Sequence, residues 1–173
     1  SPKRGSVPGA SWLPRLRQRR RGSPPISCVA IVTRVRRVGG VEAMPTVIDA
    51  SALAAVLYDE PEAPAVLAGC EAELIAPTLL PYEMANVCRT KMLRRPADAQ
   101  RTLDCHRSLS RVRIRLLEPD WETLPQLAHR WALSVYDAAY LQIALREGAA
   151  LMTLDARLAA AADGAVGGAI EGG

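Results

Sequence analysis

Four acidic residues stand where this chain could do chemistry: Asp49, Glu83, Asp137 and Asp155. Asp49 closes the short apolar run Pro45–Asp49, and Asp155 follows the run Ala150–Thr153 after one leucine. Glu83 and Asp137 fall in the first turns of two expected helices. Each acid alone has a structural use, because carboxylates cap helix N-termini and suit the positive end of the helix dipole. Taken as a group they ask for more. Like charges sharing a crevice at a protein surface repel by up to about 4 kcal/mol per close pair. A fold gathers them only with a compensating cation or raised pKa values. Oxygen ligands without His or Cys select a hard divalent ion, Mg²⁺ or Mn²⁺, over zinc. The chemistry such a site offers is water activation and neutralisation of a phosphate.

The elements that must position these acids are legible as an alternation. Short strands are expected at 45–49, 73–77, 113–117 and 150–153. Helices are expected at 50–58, 61–70, 79–93, 96–109, 121–133, 134–147 and 155–162, the sixth stopped by Gly148. Ser134 and Asp137 have the spacing of a capping box, with Asp in the place of Glu. The Gly-rich stretch after 162 is expected to hold one edge strand or no regular element. Short apolar strands between longer helices specify an α/β fold with a parallel sheet covered on both faces. In such a fold the ligand crevice lies at the carboxyl ends of the strands. If strands 45–49 and 150–153 are neighbours, Asp49 and Asp155 share that crevice.

At these residues the chain resembles a PIN domain. The resemblance rests on Val47-Ile48-Asp49-Ala50-Ser51, on Glu83-Met84-Ala85-Asn86, on Tyr136-Asp137-Ala138-Ala139-Tyr140-Leu141-Gln142-Ile143-Ala144, and on Thr153-Leu154-Asp155-Ala156-Arg157-Leu158, in the family's order. It implies an α/β/α sandwich with a small central parallel sheet, spanning 44–169. It implies an Mg²⁺-dependent nuclease (Mn²⁺ serving equally), with Asp49, Asp137 and Asp155 as metal ligands and catalytic residues, and Glu83 completing the cluster. For a chain of this size it further implies a VapC-like ribonuclease toxin of a type II toxin–antitoxin system. Such a toxin is a cytoplasmic endoribonuclease that forms a homodimer, takes RNA as substrate and is silenced by a cognate antitoxin protein. A non-catalytic PIN-fold binding or regulatory protein is the alternative. Ser51 and Thr153 either hydrogen-bond the carboxylates or only cap helices.

Charge divides the chain. Residues 1–43 hold ten Lys or Arg against one acid, a segment of +9, while the rest holds 12 basic and 17 acidic residues, or −5. This leader, rich in Pro, Gly, Ser and Arg, reads as disordered. It is either a basic arm for phosphates or an extension outside the native domain, and Met44, just before the first strand, favours the second. Residues 170–173 form a tail. Cys28, Cys70, Cys88 and Cys105 make no C-x-x-C pair and read as reduced thiols of a cytoplasmic protein. No apolar run approaches the ~20 residues that span a bilayer, so no membrane role is expected. Arg89, Arg94, Arg95, Arg111, Arg113 and Arg115 are either phosphate contacts or a solvated face. Leu53, Val56 and Leu57 read as core or as a dimer face. A dehalogenase-type phosphatase needs D-x-D, and Ser51 takes the second position. A phosphate-receiver domain needs a late Lys, and the lysines are Lys3 and Lys91.

Overall fold

A computed structural model describes residues 44–70 and 73–170, with side chains as far as residue 165. The basic leader 1–43, with Cys28, and residues 171–173 of the tail lie outside it. The chain runs β1 (Thr46–Ile48), α1 (Ala50–Leu57), α2 (Ala63–Gly69), β2 (Leu74–Pro77), α3 (Leu80–Arg94), α4 (Ala99–Arg107), β3 (Arg115–Leu117), α5 (Leu124–Trp131), α6 (Val135–Glu147), β4 (Ala150–Met152) and α7 (Ala156–Ile170). The strands form one parallel sheet in the order β3-β2-β1-β4. The expected α/β fold with a central parallel sheet is therefore present. β1 pairs with β4 through Thr46–Ala150, Val47–Leu151 and Ile48–Met152, so the residues after both strands emerge together. This is also where the chain reverses its direction across the sheet, the switch point at which open α/β sheets leave a crevice.

Burial explains why the middle of the sheet is apolar. Thr46, Val47 and Ile48 are buried, as are all four residues of β2. Helix α1 is buried nearly all round, with Ala50, Ala52, Leu53, Ala54, Ala55, Val56 and Leu57 inside. A helix apolar on every side must lie within the protein. Leu53, Val56 and Leu57 thus belong to the core, in one cluster with Ile48, Ile75, Leu80, Met84, Tyr140, Leu141, Ile143 and Leu158. Cys88 and Cys105 are buried as well.

Three boundaries differ from the sequence expectation. The helix expected from Trp121 starts at Leu124, because Asp120 folds residues 120–123 into a turn. Its carboxylate accepts from Glu122 N at 3.2 Å and from Thr123 Oγ1 at 2.9 Å. The helix expected over 96–109 keeps α-geometry only over Ala99–Arg107, between two 3₁₀ turns at Pro96–Asp98 and Ser108–Arg111. Among the described residues beyond 162 there is no edge strand; α7 continues to Ile170. Glycine reads as a breaker in sequence, but Gly164 lies so close to Trp131 that a Cβ there would stand 2.7 Å from Cζ3. Tertiary contact sets the residue at that position, and propensity yields. Gly148, in contrast, does end its helix, at φ 59° and ψ 36°.

Leu53 lies one turn behind Asp49 and is fully buried. Leu53→Ala should cost about 2–5 kcal/mol through lost burial and the remaining cavity. Urea unfolding checks this; a loss below 1 kcal/mol, on the order of an exposed-site change, would mean that α1 is not central to the core.

Candidate active site

Asp49 leaves β1 in extended geometry (φ −79°, ψ 157°) and caps α1. Only 6% of it is exposed. One oxygen, Oδ2, takes its hydrogen bonds: from Ser51 Oγ at 2.5 Å, from Thr153 Oγ1 at 2.9 Å and from Ser51 N at 3.3 Å. The two hydroxyls are fixed from behind. Ser51 Oγ accepts from Leu154 N at 3.0 Å, and Thr153 Oγ1 accepts from Asp155 N at 3.0 Å. The turn after β1 and the turn after β4 are thereby locked around one carboxylate. Of the two roles open to Ser51 and Thr153, the structure shows the carboxylate contact.

Glu83 sits in the first turn of α3, half-buried, and its Oε2 accepts a short hydrogen bond from Tyr140 Oη. Tyr140 is wholly buried on α6, and the backbone N–H of Ala50 also faces its hydroxyl. Burial pushes the Glu83 carboxyl up. The Tyr140 hydrogen bond partly opposes this, and the charges of Asp49 and Asp137 add to it. Burial and the neighbouring Glu83 likewise push the Tyr140 hydroxyl up. Tyr140 stood in the sequence motif without a role. Its signal was the spacing from Asp137: three residues apart on a helix, the two side chains share a face.

Asp137 opens α6. Its N–H donates to Ser134 Oγ at 3.0 Å, and Ser134 Oγ donates to Asp137 Oδ2 at 2.7 Å. The expected cap is present, but its second bond joins the two side chains rather than returning to the Ser134 backbone. Asp155 caps α7, with Oδ1 accepting from Arg157 N at 2.8 Å and Leu158 N at 3.1 Å.

The structure thus brings Glu83 within electrostatic reach of both Asp49 and Asp137, and the Thr153 hydroxyl links the Asp49 carboxylate to the backbone N–H of Asp155. Among the described residues, no three His, Cys, Asp or Glu side chains stand in a ready metal-binding arrangement. Each of the four carboxylates has one oxygen held by protein donors and one without a donor among the described residues: Oδ1 of Asp49, Oε1 of Glu83, Oδ1 of Asp137 and Oδ2 of Asp155. An all-oxygen donor set fits a hard divalent cation. Of the arginines, Arg115 is engaged by Glu73 at 2.9 Å and lies 4.0 Å from Glu147, so it braces the β3 edge. Arg89, Arg94 and Arg95 are exposed along and just past α3.

The raised Glu83 carboxyl has a sign that can be tested. The fold holds its proton more tightly than the unfolded chain does. The stability this gives is complete below the ordinary glutamate range and is lost as pH rises through the folded value. In EDTA, Glu83→Gln should therefore melt higher than the unchanged chain at neutral pH, and the gap should close as the pH is lowered into the glutamate range. Equal melting temperatures at neutral pH would mean that Glu83 carries no strain.

The PIN domain family matches residues 46–164. Among solved structures, the crystal structure of PAE2754 from Pyrobaculum aerophilum is similar, with a TM-score of 0.53 and 26% identity over 70% of this chain and 87% of that one. The chain has no match among curated proteins. The match spans β1 to α7 and includes all four acids, and so this chain belongs to the PIN domain family, a fold commonly used by nucleases.

Proposed function

We propose that this chain is a metal-dependent endoribonuclease that hydrolyses RNA phosphodiester bonds, and that it acts as the toxin of a toxin–antitoxin pair. The observation that carries the hydrolytic reading is the set of four tethered carboxylates, each with one oxygen left over, Asp49 and Asp155 following β1 and β4 and Glu83 and Asp137 in the first turns of α3 and α6. Asp49, Asp137, Asp155 and Glu83 would hold Mg²⁺ or Mn²⁺. Bound there, the ion supplies charge neutralisation for the phosphate and acidifies water. The chain's own groups do the rest. Ser51 and Thr153 hold Asp49 in one rotamer. Tyr140 holds Glu83, and Ser134 holds Asp137. The half-buried Glu83, held by Tyr140, would complete the cluster directly or through water.

The toxin role rests on the resemblance of the motif set, and it brings with it a homodimer and a cognate antitoxin protein. A binding or regulatory role with idle acids is favoured by one observation, the Asp155 carboxylate engaged in capping α7. Among the described residues, no helix is long and apolar enough to cross a membrane.

The test is cleavage of RNA by the purified chain. Activity should require Mg²⁺ or Mn²⁺ and stop in EDTA. Asp49→Asn and Asp137→Asn should each lose at least ~100-fold, and Thr153→Val, which removes only a supporting hydroxyl, roughly 10–100-fold. Cleavage indifferent to all three substitutions would point to another site or a contaminant. Absence of both cleavage and metal binding would leave the binding role. For the toxin role, induced expression should arrest growth, and the Asp49→Asn chain should not.

A further inference from the structure

Away from the carboxylates, two helices bring thiols together. Cys88 on α3 and Cys105 on α4 are both buried. Cys88 Sγ donates to Thr102 O at 3.9 Å, and Cys105 is the third residue after Thr102 on α4. A side chain three residues on in a helix can reach back to that carbonyl. Ser108 does so one turn later, its Oγ donating to Cys105 O at 2.6 Å. One carbonyl oxygen is thus within reach of both sulfurs. The buried Tyr58 hydroxyl, at the end of α1, bears this out. Burial pushes it up, and Cys88 and Cys105 both add to the shift, so its oxygen faces the two thiols at once. The contact between the helices is made by small side chains. Thr102 and Cys105 are the buried residues of α4, and no residue of α4 enters the main apolar cluster. Disulfide geometry asks for Cα atoms within about 7 Å, and helices that meet through Cys and Thr can come that close.

We propose that Cys88 and Cys105 are an oxidation site: a peroxide joins them in a disulfide that clamps α4 onto α3, and a thiol reductant releases it. One thiolate attacks a peroxide oxygen. The O–O bond breaks, water leaves, and the sulfur becomes a sulfenic acid. The second thiol attacks that sulfur, the S–O bond breaks, and a second water leaves as the S–S bond forms. Two thiols are oxidised by two electrons, and one peroxide is reduced to two waters. Entry to the buried pair comes from α4, which lies between two 3₁₀ turns. An element held by few apolar contacts opens more readily than the core. The clamp fixes the second half of the helix whose first turn carries Glu83, and it does not depend on the nuclease reading of the acids.

The full chain is treated with hydrogen peroxide, alkylated, and digested with trypsin and a glutamate-specific protease. Cuts at Glu71, Glu83, Arg89, Arg101 and Arg107 put each cysteine on its own peptide. Mass spectrometry should find Met84–Arg89 joined to Thr102–Arg107, and dithiothreitol should separate them. The oxidised chain should melt roughly 5–10 °C higher, because the cross-link closes a short loop over residues 89–104. Cys88→Ser and Cys105→Ser should each lose the joined peptide and the melting shift. Thiols that stay open to alkylation in the folded chain, at a peroxide concentration that oxidises them in urea, overturn the proposal. So does a disulfide that joins either cysteine to Cys28, to Cys70 or to a second chain, and so does oxidation to sulfinic acid without a cross-link. A cross-linked chain that melts lower also overturns it, since the bond would then pull the helices out of their packing.

Discussion

The constraint on which this structure turns is electrostatic. Carboxylates brought to one end of a sheet repel each other, and at 4 Å near a protein surface each close pair costs on the order of 4 kcal/mol. The fold meets this with neutral donors. Hydroxyls of Ser51, Thr153, Tyr140 and Ser134, together with the backbone amides that begin α1 and α7, take one oxygen of each acid. Hydrogen bonds to an ionised acceptor are stronger than neutral ones. They also fix the rotamer, so the repulsion is not relieved by the side chains swinging apart into solvent.

Those donors have fixed positions because the elements bearing them are buried. Asp49 is placed by a strand and a helix that are both inside the protein. Thr153 follows β4, whose register against β1 brings Met152 beside Ile48. The backbone carries the same lock, with Asp49 N donating to Met152 O at 2.9 Å. Glu83 reaches the site because the buried face of α3, with Leu80 and Met84, belongs to the cluster that holds Tyr140. Core packing and site geometry share the same side chains, so a cavity behind α1 and a change at the acids are not independent perturbations.

Much of this was legible in the sequence, for physical reasons. A buried parallel strand must be apolar and short, which exposed β1 and β2; an acid just after such a strand stands out against it. The four acids occur in the order and contexts of a PIN domain, and the structure sets Glu83 within electrostatic reach of Asp49 and Asp137. Other features were hidden. Asp155 has the same residue type whether it caps a helix or faces an ion, and only the distances to Arg157 N and Leu158 N reveal the cap. Tyr140 was one more aromatic in an apolar helix until its hydroxyl met Glu83. Arg115 belonged to a basic stretch until Glu73 and Glu147 were found beside it. Gly164 looked like a stop because its partner, Trp131, lies 33 residues away in sequence. Each of these depends on a contact between distant parts of the chain, which local pattern does not encode.

Helix α6 carries more of the site than its one acid suggests. It presents Asp137 itself. It also bears the tyrosine that steers Glu83 from below, and the same hydroxyl faces the first amide of α1, next to Asp49. A rigid rod that carries one acid and holds a second works as a common handle. A displacement of this one helix along its axis would shift one carboxylate and release another in the same stroke, without breaking the sheet. Any partner able to grip the exposed side of α6 therefore has a mechanical route to both carboxylates and need not enter the crevice.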